Sequence, residues 1–141
     1  MGKNFSDIKY AEKLLDIYIQ NATKILDSNF GVDCAENTMF EAIDLLRGYS
    51  ELKPIFLKKV ADTFALRTRD NFDYNTIPRD FIELCVHELR WPEFLELAKE
   101  RVRVYFHDDR TLAAGDVSRS IQDAYSDEWM DRMYYKRYNE E

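Results

Sequence analysis

The chain has 141 residues, of which 45% are hydrophobic and 33% charged, with four glycines and three prolines. That length suits a single domain spanning residues 1–141 with one sizeable core, and the balance excludes a disordered chain, while so little Gly and Pro disfavours a turn-rich all-β fold. The formal net charge of −7 is uneven: residues 1–70 hold 11 acidic and 10 basic residues, and residues 71–141 hold 16 and 10. An acidic second half argues against a nucleic-acid binder, which needs a basic stripe along the phosphates, and leaves open a basic protein partner.

Helical spacing begins at once. Ser6 suits an N-cap, and Ile8, Ala11, Leu14, Leu15, Tyr18, Ile19, Ala22, Ile25 and Leu26 recur at intervals of three and four up to about Asp27. Gly31 is the expected positive-φ residue after this helix. A second helix is predicted over Ala35–Arg47, with Gly48 just beyond its end. A third runs from Lys53-Pro54 to about Arg69. Asp70–Thr76 reads as a polar loop that Phe72 and Tyr74 pin down.

Two helices then meet at Arg90-Trp91-Pro92. The first, from Pro78 to about Leu89, is apolar over most of its circumference and so reads as buried. Pro92 pushes Trp91 out of the helical region and opens the next helix, which carries Phe94, Leu95, Leu97, Ala98, Val102 and Tyr105 on one stripe. So short a joint predicts that the two fold back on each other, with the Trp91 ring plugging the space between them. Asp116 or Ser118 caps a sixth helix, and Ser126 caps a last one through Trp129, Met130, Met133 and Tyr134.

The expected class is therefore all-α, with six or seven helices in antiparallel pairs, arranged as a HEAT-like right-handed stack or a compact helical bundle. No stretch is apolar for long enough to span a membrane, and no apolar run follows Met1–Ser6 as a secretory signal requires. Cys34 and Cys85 lie far apart without a CxxC partner, which reads as two buried free thiols in a reducing compartment. A cytoplasmic location is expected on these grounds.

Pro54-Ile55-Phe56-Leu57 aligns with Pro92-Glu93-Phe94-Leu95, and Ile43-Asp44-Leu45-Leu46 with Ile82-Glu83-Leu84-Cys85 after a one-residue shift. Each unit reads helix, short joint, helix. Over about residues 39–106 the chain resembles HEAT and armadillo repeats, whose period is similar. The resemblance implies a helical stack. An ordinary helical bundle needs no repeat.

No constellation of catalytic residues stands out. His87 and His107 are the only histidines, and Leu84 and Val104 occupy the positions where a Glu-x-x-His di-metal motif needs Glu. Cys85 and His87, two apart on a helix, do not face each other. Glycine-rich phosphate loops and a G-x-S-x-G elbow are absent. No cofactor and no metal is expected. Glu93, Glu96 and Glu100 share one helix face, with Lys99 and Arg103 as intrahelical partners, which is the pattern of a solvated face.

The stretch with most functional promise is Tyr125–Tyr138, where Trp129, Met130, Met133, Tyr134, Tyr135 and Tyr138 mix with Asp127, Glu128, Asp131, Arg132, Lys136 and Arg137. Adjacent Tyr134 and Tyr135 cannot share one narrow stripe, so some rings should face outward. Aromatic, Met and Arg side chains are those enriched at binding hot spots. Alternatively, Trp129, Met130 and Met133 seal the end of the core.

These features point to a non-catalytic protein-binding module. A small acidic helical protein of this kind looks like the bacterial immunity proteins and antitoxins that neutralise a basic toxin. The candidate partner-binding residues are Glu93, Glu96, Glu100, Asp127, Glu128, Asp131, Tyr134, Tyr135 and Tyr138. Two other readings stand beside it: a metal-dependent enzyme using carboxylate-rich helices, and a HEAT-like nucleic-acid binder, which the charge disfavours.

Overall fold

The computed structural model describes residues 5–65 and 76–139. The polar loop expected after the third helix, and the end of that helix near Arg69, lie outside the described residues. Within them the protein is all-α: seven α-helices and one 3-10 helix, with no strand. These are α1 (Phe5–Asp27), α2 (Val32–Gly48), α3 (Leu52–Phe64), α4 (Arg79–Leu89), α5 (Pro92–Phe106), α6 (Val117–Ala124), the 3-10 helix (Met130–Tyr134) and α7 (Lys136–Asn139). None is long and apolar enough to cross a membrane.

The helices group into two compact units. The first takes the chain up to Phe56 and again from Met130 on; the second is Leu57–Trp129, so that α3 contributes residues to both. In the first unit, α1 packs closely against α2. Ala11, Leu15, Ile19 and Ala22 on α1, and Met39, Ile43 and Leu46 on α2, are buried. The connection is only Ser28–Gly31, and Thr38 Oγ1, early in α2, donates to the Tyr18 carbonyl on α1 at 3.4 Å. A short connection with contact back along the first helix makes the pair antiparallel.

The turn between them is built differently from the sequence expectation. Asn29, not Gly31, takes the left-handed conformation (φ 69°) that ends α1. Gly31 is extended and caps α2 instead. A Cβ there would lie 2.7 Å from Asp33 Oδ1, the end of a flexible side chain that can turn away, so neither positive φ nor backbone crowding demands glycine at Gly31. Gly48 is the last residue of α2 and no glycine among the described residues has positive φ.

In the second unit α4 carries a run of buried residues, Phe81 to His87. Its joint to α5 is as short as the sequence implies, with Arg90 left-handed (φ 53°) and Pro92 opening α5. The closest helix packing here, however, is of α6 against α4 and against α5. Arg90 and Pro92 redirect the chain, and α6 supplies the small buried surface of Ser118, Ser120, Ile121 and Ala124 that both helices close on.

Trp91 is half-buried rather than a plug, its ring stacked on buried Phe94 at 5.4 Å between centroids, 12° from parallel. A ring with one face on the core and one edge in water is worth less than a buried one. We expect Trp91→Ala to cost about 1–2 kcal/mol in chemical denaturation, against roughly 3–5 kcal/mol for a fully buried ring.

Candidate functional site

The sequence candidates divide between the two units. Glu93, Glu96, Glu100, Asp127 and Glu128 belong to the second; Asp131, Tyr134, Tyr135 and Tyr138 belong to the first.

On α5, Glu96 and Glu100 are exposed and Glu93 is half-buried. Their charge is largely answered on their own helix. Lys99 approaches Glu96 at 3.9 Å, and Arg103 donates through Nε to Glu100 at 3.0 Å and again through Nη2. The Arg103 hydrogen bonds hold the Glu100 carboxyl below the usual carboxylate range, outweighing a slight desolvation, with the Arg103 charge adding to them. This face is a solvated one with local ion pairs.

Asp127 and Glu128 sit in the turn after α6, both exposed. The turn is anchored by a polar knot. Asp127 Oδ1 accepts from Arg90 Nη2 at 2.9 Å, the Tyr125 hydroxyl donates to the Arg90 carbonyl at 2.9 Å, and Arg90 Nε donates to the His87 carbonyl. His87 is buried, 2.8 Å through Nδ1 from the Ala124 carbonyl, with its ring against Trp129 at 4.9 Å. A carbonyl only accepts, so Nδ1 carries the proton. These bonds hold Arg90 in a left-handed conformation that costs a non-glycine residue about 1–2 kcal/mol. His87 is thus a structural residue, and no group of three His, Cys, Asp or Glu side chains placed to hold a metal occurs among the described residues. Cys85 is buried as expected; Cys34 is exposed, because it lies in the first turn of α2 ahead of the buried stripe that starts at Ala35.

The C-terminal stretch is not the helix read from Ser126. Ser126 Oγ accepts from Glu128 N at 3.1 Å in a local turn, and the chain then enters the 3-10 helix and α7. This competing side-chain bond breaks the α-helical register that would have placed Trp129, Met130 and Met133 on one face. Trp129 is buried, whereas Met130 (79% exposed), Met133 (63%) and Tyr134 (59%) stand in solvent. The expectation that adjacent tyrosines part company holds, with Tyr134 outside and Tyr135, 1% exposed, inside. Tyr135 is therefore a core residue, not a contact residue.

Beneath this exposed turn is a fixed base. Tyr135, Phe40 and Tyr138 meet edge to face, with centroids 5.9–6.3 Å apart. Arg137 lies over Phe40 at 4.2 Å and Arg132 over Tyr138 at 4.1 Å. Glu36, a buried carboxylate on α2, accepts from the backbone N–H of Lys136 at 2.7 Å and of Arg137 at 2.9 Å, so it caps α7 from a hundred residues away. Such charge-assisted bonds are about twice as strong as neutral ones. Asp131 and Tyr138 are half-buried beside the exposed turn. Met130 and Met133 were within the stretch that the sequence singled out, but only the break after Ser126 shows that they face water.

No family model matches the chain, and no curated protein or solved structure matches it either.

Proposed function

We propose that the chain is a non-catalytic helical protein that binds a basic protein partner in the cytoplasm, in the manner of immunity proteins and antitoxins, with its helix–joint–helix units forming a HEAT-like stack. The observation that carries this reading is the exposed turn of Met130, Met133 and Tyr134 beside the packed rings of Phe40, Tyr135 and Tyr138. The exposed Tyr134 ring loses little side-chain entropy when it is covered, and the flexible thioethers of Met130 and Met133 adapt to the surface that covers them. The excess of carboxylates supports the charge of the partner: Leu57–Trp129 holds 15 acidic residues and 11 basic ones.

The two contributions separate kinetically. Carboxylates speed encounter and are screened by salt beyond about 8 Å at physiological ionic strength, whereas desolvated contacts set residence time. The test starts with capture of partners by the full chain from its native cell and mass spectrometry of what co-purifies. With the captured protein in hand, the triple variant Met130→Ala, Met133→Ala, Tyr134→Ala should raise the off-rate about tenfold or more. Charge reversal at Glu96 and Glu100 should act on the on-rate and its salt dependence. An acidic partner, or unchanged kinetics in the triple variant, refutes the reading.

A further inference from the structure

We propose that Met130 and Met133 form a reversible oxidation site, a methionine pair that peroxide converts to sulfoxides and that thereby removes the apolar character of the exposed turn. The inference deepens the proposed function and, as a switch on partner binding, rests on it; the site of oxidation does not.

A 3-10 helix advances three residues per turn, so Met130 and Met133 fall one above the other on the same face. Both side chains are mostly in water, at 79% and 63% exposure. Met39, by contrast, is completely buried against α1 in the same unit. Thioether oxidation follows access, so among the described methionines the chemistry is directed to the pair. The base under the turn is held by groups other than the two thioethers that face solvent. Tyr135, Tyr138 and Phe40 hold it by ring contacts, and Glu36 holds the amides that follow. Oxidation should therefore change the surface and leave the fold alone.

The step balances with hydrogen peroxide as the oxidant. The methionine sulfur attacks one peroxide oxygen, an S–O bond forms and the O–O bond breaks. The sulfur is oxidised by two electrons, and the departing hydroxide takes the proton from the new S–OH and leaves as water. Return requires the two stereospecific methionine sulfoxide reductases and a dithiol, which ends as a disulfide with release of water.

The experiment treats the full-length protein with hydrogen peroxide and maps the products by peptide mass spectrometry. Met130 and Met133 should each gain one oxygen, while Met39 reacts about tenfold slower or less, since it is reached only when the fold opens. The thermal melting curve should be unchanged. Retention on a phenyl column should fall, as it should for Met130→Gln with Met133→Gln, and the reductases should restore it. Oxidation of Met39 in step with the pair, a lowered melting curve, or unchanged column retention would each overturn the proposal. Failure of the contact reading looks different: the triple variant releases its partner no faster, with the oxidation pattern intact.

Discussion

Replacing Arg101 with Met will lower the unfolding free energy by roughly 3–5 kcal/mol, the usual cost of stripping one member from a buried ion pair. Arg101 is 7% exposed on α5. Its Nε and Nη2 reach the two Asp116 oxygens at 2.8 and 2.9 Å, its Nη1 donates to the Phe64 carbonyl, and its guanidinium lies over Tyr105 at 5.1 Å. Asp116 in turn caps α6 by accepting from Ser118 N at 3.0 Å. One side chain thus fastens the end of α3, the middle of α5 and the start of α6. Methionine keeps the length and loses every bond that Arg101 makes, leaving the half-buried Asp116 carboxylate beside an apolar group with only its Ser118 bond.

The same pair fixes a pH dependence. Burial pushes the Asp116 carboxyl up, but the hydrogen bonds from Arg101 and Ser118, with the Arg101 charge, pull it further down, so that it sits below the usual range. The folded value is lower than the unfolded one, near 3.9 for a free aspartate. Its contribution is therefore complete above that value and is lost as pH falls through the folded value. In Arg101→Met the Arg101 share of the downward pull is gone, while the Ser118 hydrogen bonds and the burial remain. The stability gap between wild type and variant should narrow as pH falls below about 4, measured by urea denaturation across pH. A constant gap would show that the carboxylate charge has no part in it.

Tyr135→Ala will cost roughly 3–5 kcal/mol, while Tyr134→Ala beside it stays within about 0.5 kcal/mol. Removing the Tyr135 ring opens a cavity next to Phe40 and Tyr138, and removing the Tyr134 ring only uncovers water-facing surface. Equal effects in chemical denaturation would contradict the burial of one and exposure of the other. The contrast also governs how binding variants are chosen. A truncation ahead of Ser126 would take Tyr135 with it and confuse lost contact with lost fold.

Long helices were legible because spacing alone decides them: Ala11, Leu15, Ile19 and Ala22 leave little choice. The cap at Asp116 was one of two readings, and geometry selects it because Arg101 is there to hold the carboxylate. Asn29 took the place expected of Gly31 because asparagine also tolerates the left-handed region. Along Ser126–Asn139 local pattern fails for another reason. Which tyrosine turns inward depends on Phe40 and Glu36, residues about a hundred positions earlier, and a helical wheel carries no information about them. Arg101 was equally hidden, since a charged residue on an amphipathic helix reads as solvated until its buried partner is known.

The distant cap on α7 has a consequence for the order in which the protein is made. The first unit joins two stretches about a hundred residues apart, with Glu36 and Phe40 from one and Tyr135, Lys136 and Arg137 from the other. Leu57–Trp129 is made as an uninterrupted stretch before the residues from Met130 on that complete the first unit. Until the tail emerges, the Phe40 face of α2 stays uncovered, and the loop that must then close spans the whole intervening unit, at an entropic cost that grows with its length. Contacts so far apart in sequence form slowly. A nascent chain from which Tyr135–Tyr138 have not yet emerged therefore carries an open aromatic surface, and that interval is when chaperone engagement or misassociation has its opening.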